Sequence, residues 1–241
     1  MRMMQLKSLI PRRVKHIIQQ YLCDHEETTT PSEVVRQFHE LFYDNVGSTW
    51  NNTYWMGAQI LKNPFDLWIY QEIIFDTKPA VIVECGTRHG GSALYFASMC
   101  DLLGHGRVIS IDVEKGESRP VHPRITYLVG SSLSESTLRH IEKATAGRTT
   151  MVSLDSDHRQ AHVLAEMRVY GQYVTRGCYM VVEDTNLNGH PVLPNFGPGP
   201  LEAVEQFVQE NHDFEVDSRC EKFLFTFHPN GFLRRIKECK P

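Results

Sequence analysis

The chain has 241 residues, 41% of them hydrophobic and 10% aromatic, which suits one full-sized core and argues against a disordered chain. A formal charge of −4 and a pI near 6.3 give no general electrostatic attraction for nucleic acid or a membrane surface. Six cysteines, at positions 23, 85, 100, 178, 220 and 239, form no C-x-x-C pair, and three lie in apolar stretches. That is the pattern of thiols kept reduced in a cytoplasm.

The basic opening "MRMMQLKSLIPRRVKHII" lacks the apolar core and small-residue cleavage site of a signal peptide. No apolar run approaches the roughly 20 residues of a membrane span. Residues 11–22 place Val14, Ile17, Ile18, Tyr21 and Leu22 on one helical face, expected to dock on the main domain or on a second copy in a homo-oligomer. Residues 1–50 are accordingly read as a helical extension and 51–241 as the main domain. In "TTTPSEVVRQFHELFYD", Thr30 as N-cap, Pro31 at the first helical position and Glu33 as the reciprocal partner predict a capping box and a helix over 31–44. "NVGSTWNNTYWMGAQILKNP" reads as a loop, and "PFDLWIYQEIIFD" returns to helical spacing through Leu67, Ile69, Tyr70, Ile73 and Ile74.

From residue 79 short apolar strands alternate with amphipathic helices. The strands are "AVIVECG", "RVISIDV", "RITYLVGSS", "TTMVSLDS" and "GCYMVVEDT"; the helices "GSALYFASMCDLLG", "SESTLRHIEKAT" and "QAHVLAEMRVYGQYV" lie between them. Such alternation predicts an α/β fold, a Rossmann-like doubly wound and mostly parallel sheet. A helix in "PGPLEAVEQFVQEN" and antiparallel strands in "FEVDSRCEKFLFTFHPNGFLRRI" complete it, the last two strands joined through Pro229-Asn230-Gly231.

Ligands of such a sheet bind beyond the carboxyl ends of its strands. After the first strand Glu84 leads into Gly86, Thr87, Gly90, Gly91 and Ser92, a glycine-rich turn that lets a ligand approach the next helix. The second strand ends at Asp112, able to accept both hydroxyls of a ribose, and the third at Gly130-Ser131-Ser132, small enough to lie beside an adenine. A nucleotide-type cofactor is expected. Glu84 favours S-adenosylmethionine over NAD, because a carboxylate there suits a cationic amino-acid moiety and repels a pyrophosphate. The turn also lacks the G-x-G-x-x-G spacing.

The last two parallel strands end in "SLDSDH" and "VVEDT". If they are neighbours, Asp155, Glu183 and Asp184 share one edge, and no Lys or Arg is evident beside them. Either water solvates these acids or a hard divalent cation, Mg²⁺, Mn²⁺ or Ca²⁺ rather than Zn²⁺, relieves their repulsion. His158 stands where it serves either as a polar helix start or as a general base, with Asp157 orienting it or capping the helix.

Taken with "WMGAQILKNPFDLWIYQEII", "PAVIVECGTRHGGSALYFA", "HPRITYLVGSS" and "GPGPLEAVEQF", these stretches resemble the cephalosporin hydroxylase/rhamnosyl O-methyltransferase family over roughly residues 50–235. The resemblance implies S-adenosylmethionine-dependent O-methylation of a hydroxylated small molecule. It also implies Mg²⁺ held by Asp155, Glu183 and Asp184, cofactor contacts at Glu84, Gly86, Asp112 and Asp155, and His158 as base. Ser156 departs from it, since many relatives carry an acid there. None of the twelve histidines begins an H-x-D, so the facial triad of an iron hydroxylase is missing. Trp50, Tyr54 and Trp55 with Gly197-Pro198-Gly199-Pro200 are read as a lid over the acceptor, the alternative being that these aromatics make subunit contacts. An NAD-type oxidoreductase and a non-catalytic member of the fold are the rival readings.

Overall fold

Val, Ile, Leu and Met dominate both faces of three strands, and a strand apolar on both faces is stable only between two helical layers. The computed structural model describes residues 30–238, and these strands form its centre. They are β3 (Val81–Cys85), β6 (Thr150–Leu154) and β7 (Tyr179–Val182), each buried along its whole length. With β4 (Val108–Asp112), β5 (Ile125–Val129), β8 (Phe214–Val216) and β9 (Phe232–Arg235) they make a seven-stranded sheet of order β5-β4-β3-β6-β7-β9-β8. The first five positions are parallel, while β9 runs antiparallel to both β7 and β8. A separate two-stranded hairpin joins β1 (Tyr54–Trp55) to β2 (Ala58–Gln59).

Alternation along the strands divides the core in two. Val83, Ile111, Val152 and Val182 meet Val163, Met167 and Tyr170 of α5 (Gln160–Tyr170) and Val204 and Phe207 of α6 (Pro200–Glu210). The alternate residues Ile82, Met151 and Val181 meet Ile69, Tyr70 and Ile73 of α2 (Pro64–Thr77) and Ala93, Phe96 and Cys100 of α3 (Gly91–Leu102). The remaining described helices are α1 (Pro31–Asp44) and α4 (Glu135–Thr145). Among the described residues, the whole sheet belongs to the unit that begins at Phe38.

The helix predicted for residues 11–22, along with Cys23 and Cys239, lies outside the described residues. At the start of α1 only half of the expected capping box forms. The Glu33 N–H donates to Thr30 Oγ1 at 3.2 Å, but the Glu33 carboxylate accepts from Arg36 and Gln37 instead of turning back. The segment read as a loop contains the β1–β2 hairpin and a 3₁₀ turn at Trp50–Asn52. At the C-terminus Pro229-Asn230-Gly231 does not join two strands. Residues 225–228 are held off the sheet because the buried Asp66 carboxylate accepts from Thr226 Oγ1 at 2.5 Å and from the Phe227 N–H at 2.9 Å.

β3 passes to β4 on one side, whereas β6 and β7 lie on the other. The strand order therefore reverses between β3 and β6, and a crevice opens at their carboxyl ends. Gly86 follows one of these strands and Asp155 the other.

Candidate active site

Gly86 is held at φ +99°, and a Cβ there would stand 1.8 Å from the Asp155 carbonyl oxygen. Glycine thus lets the two loops of the switch point touch. Beside them lies a cleft of about 360 Å³ lined by Gly86, Asp112, Gly130, Ser131, Ser132 and Asp155 from the predicted set, with Arg88, Glu114, Ser156, Asp157 and His162. A larger cavity, about 540 Å³, opens among Thr149, Gly177 and Arg234 at the amino ends of the parallel strands, where a ligand of this sheet type is not expected.

Asp112 is organised before any ligand arrives. Its Oδ2 accepts from the N–H groups of Thr87 at 3.1 Å and Arg88 at 2.8 Å and pairs with Arg119 at 3.1 Å. Oδ1 accepts only the Glu114 N–H at 2.9 Å, leaving lone-pair capacity for a ribose hydroxyl. Glu84, Thr87, Gly90, Gly91 and Ser92 are not among the cleft-lining residues. A Cβ on Gly91 would meet the Gln59 carbonyl oxygen at 2.2 Å, and one on Gly90 would meet the Tyr127 hydroxyl at 2.9 Å, so protein atoms fill the room these glycines leave. Thr87 Oγ1 lies 2.6 Å from Ser110 Oγ. Glu84 is fully buried, accepts from Ser110 Oγ, and has no partner on Oε1. Burial pushes its carboxyl up to about 7, against the Ser110 and Ser92 hydroxyls and the Lys62 charge. A buried orphan oxygen beside the Gly86 turn fits a cofactor with a cationic group to offer.

β6 and β7 pair in register through Leu154 and Val182, so their acids do emerge at one edge. The premise that no cation stands near them is corrected by Lys62. Its ammonium, 3% exposed, lies 2.6 Å from both Asp155 Oδ2 and Glu183 Oε2. Burial works against that charge, but the two carboxylates outweigh it and hold the ammonium protonated. The remaining Glu183 oxygen accepts from the Tyr70 hydroxyl at 2.7 Å and Ser153 Oγ at 2.8 Å. Burial raises the Glu183 carboxyl, yet Lys62 and His228 pull it below its ordinary range. Asp155 moves the opposite way: desolvation lifts it, with Glu183 and Asp184 adding to the lift, and Lys62 only partly compensates.

Asp184 occupies a left-handed backbone conformation, φ +55°, and its N–H donates to His228 Nδ1 at 3.1 Å. His228 Nε2 lies 3.4 Å from Glu183 and 3.6 Å from Asp66. His158 Nε2 lies 3.4 Å from Asp184 Oδ2 and 3.9 Å from Asp155 Oδ1. Ligand atoms of Asp155, His158 and Asp184 all fall within 4.8 Å of one another; the two carboxylates suit a hard divalent cation, whereas an imidazole is not a ligand such an ion prefers. Glu183, the third predicted ligand, is not part of that group, and both its oxygens are engaged by Lys62, Tyr70 and Ser153.

Sequence reasoning missed Lys62, Tyr70 and His228. The "QILKNP" stretch carrying Lys62 offers no local signal, since its partners lie 93 and 121 residues away. The expected lid is partly a set of struts. Trp50 Nε1 donates to the Tyr43 carbonyl and Trp55 Nε1 to Ser98 Oγ, while Tyr54 is exposed. The Gly197–Pro200 loop is tied to the start of α5, where the Gln160 N–H donates to the Pro198 carbonyl at 3.1 Å and Arg159 Nη1 to that of Phe196 at 2.7 Å. Ser156, where an acid was expected, donates to the buried Glu166, which also pairs with His162 at 3.2 Å.

The model of the family described as Rhamnosyl O-methyltransferase/CmcI matches residues 47–236. A rhamnosyl O-methyltransferase of Mycobacterium leprae is 38% identical over 92% of this chain and 100% of its own length. One of Mycobacterium tuberculosis is 39% identical over 85% of this chain and 86% of its own. A solved CmcI structure described as holding Mg and SAM superposes with a TM-score of 0.61 at 21% identity, covering 78% of each chain. At that identity it speaks for the fold.

Proposed function

The chain belongs to the rhamnosyl O-methyltransferase/CmcI family, and on that premise we propose that it transfers a methyl group from S-adenosylmethionine to a hydroxyl of a sugar or hydroxylated natural product. The observation that carries this reading is Asp155, which both lines the cleft at the switch point and belongs to the Asp155–His158–Asp184 cluster. A cofactor and a cation therefore share one wall. The relatives' rhamnosyl acceptors favour a sugar here.

The cleft would hold the cofactor with Asp112 at its ribose, Gly130–Ser132 beside its adenine and Glu84 behind its amino-acid end. Asp155 and Asp184 would hold Mg²⁺, which when bound lowers the pKa of an adjacent acceptor hydroxyl. Glu183 would reach the ion only by exchanging Lys62. His158 takes the acceptor proton. The oxygen lone pair then forms the new C–O bond as the C–S bond breaks, its electrons staying on sulfur to give the thioether product. His190, the alternative base, is instead committed to Glu202 at 3.1 Å. Alignment of oxygen, methyl and sulfur supplies much of the acceleration.

Assembly into a homo-oligomer through residues 1–50, and a cytoplasmic setting, belong to the same reading. The free buried thiols of Cys85, Cys100, Cys178 and Cys220 agree with a reducing compartment, and no described helix is long and apolar enough to cross a membrane. The test is a labelled S-adenosylmethionine screen against rhamnosides, other glycosides and hydroxylated metabolites, with Mg²⁺ and with EDTA. Label should enter a glycoside only with Mg²⁺ and fall at least ~100-fold in His158→Ala. Calorimetric binding of NAD, with none of S-adenosylhomocysteine, would move the protein to the oxidoreductase class.

A further inference from the structure

Lys62 is a strongly buried cation set between Asp155 and Glu183, and its surroundings hold it there. Its N–H donates to Thr53 Oγ1 at 3.3 Å, the preceding Leu61 has φ +56°, and Asn63 caps α2 through the Phe65 N–H at 3.1 Å. The side chain therefore enters between the ends of β6 and β7 from a fixed backbone. Two of its three protons go to carboxylates from different strands. These are the oxygens a divalent ion at this edge would otherwise claim, and Asp155 Oδ1 and Asp184 Oδ2 are left facing His158.

We propose that Lys62 is a positioning residue, a built-in counter-cation that holds Asp155 and Glu183 in place without a divalent ion and limits how tightly that ion binds. Asp155, Glu183 and Asp184 against one ammonium leave an excess of two negative charges, which one divalent ion balances. A buried carboxylate that loses its ammonium partner is costly, so Lys62 keeps the ion-free site folded. The same charge repels an incoming cation a few ångströms away and occupies two candidate ligand oxygens. Lys62 and the ion thus serve the same carboxylates and oppose each other. The inference rests on the reading of Asp155 and Asp184 as a cation site.

The experiment uses Mn²⁺ alone as probe, read by the loss of its free-ion paramagnetic resonance signal, together with thermal unfolding with and without Mn²⁺. Lys62→Gln keeps hydrogen-bond donors and removes the charge; Lys62→Met removes both. Each variant is expected to unfold at lower temperature without metal. Each should also bind Mn²⁺ about tenfold or more tightly than the wild type and gain more thermal stability from it. A folded variant that binds Mn²⁺ no more tightly than the wild type overturns the role of Lys62 while leaving the cation site standing. So does a variant that stays unfolded in saturating Mn²⁺, because the ion then cannot replace the ammonium. If the wild type itself leaves the Mn²⁺ signal unchanged, the cation site falls, and this inference with it.

Discussion

Substituting alanine for Gly86 tests whether the contact between the β3 and β6 loops builds the site. The new Cβ would lie 1.8 Å from the Asp155 carbonyl oxygen and 2.5 Å from its carbonyl carbon. Both are backbone atoms, pinned by the Asp155 N–H donating to the Cys85 carbonyl and the Gly86 N–H donating to that of Ile111, each at 2.8 Å. No rotamer change relieves that overlap. A left-handed backbone costs an L-residue about 1–2 kcal/mol, and overpacking adds about 1–3 kcal/mol. The expected loss is therefore roughly 2–5 kcal/mol, a large share of a typical domain's stability. Gly104→Ala and Gly147→Ala are the controls, since their φ values are +64° and +66° and no atom lies within 4 Å of the added carbon. They should show the backbone cost alone. Urea unfolding followed by circular dichroism measures the stabilities, and S-adenosylhomocysteine calorimetry measures the cleft. Gly86→Ala should be the least stable of the three and bind the product at least tenfold more weakly, because Asp155 must move. If it matches the controls within about 0.5 kcal/mol and binds normally, the switch-point contact is not what requires glycine.

His39 is 4% exposed, meets Asn186 Nδ2 at 2.9 Å and stacks on Phe227, and burial, aided by the His228 charge, lowers its pKa from 6.5 to about 4. The unfolded chain takes up that proton first, so stability should be full above pH 6.5 and fall by up to about 3 kcal/mol toward pH 4; an equal slope in His39→Gln would refute this. Glu84 acts in the opposite sense: burial lifts its folded pKa from the ordinary 4.5 to about 7, so stability should decline as pH rises through that window. Glu84→Gln should therefore gain on the wild type at pH 8 relative to pH 5 in paired urea melts, and a constant difference would show that the carboxyl does not titrate there. Tyr70→Phe removes a charge-assisted bond to Glu183 and should cost about 1.5–3 kcal/mol by the same measurement; a loss below about 0.5 kcal/mol would mean Ser153 suffices.

The α/β class, the strands from residue 81 to 182 and the meeting of Asp155 with Asp184 were legible in the sequence, because unbroken apolar runs and strand-end acids are local patterns. So was the family, through motifs spread over most of the chain. The C-terminal turn misled because Pro229-Asn230-Gly231 is hairpin chemistry, whereas the competing Asp66 carboxylate lies 160 residues from Thr226. Gly90 and Gly91 looked like openings for a ligand, yet only the folded chain shows Tyr127 and Gln59 filling them. By itself the sequence determined which carboxylates reach the cleft edge, since each is fixed to the end of its own strand. Only the tertiary structure decided what charge they meet there. Lys62 is carried in from a loop ahead of α2, and a buried ion pair is set by packing between distant segments, where no spacing rule applies.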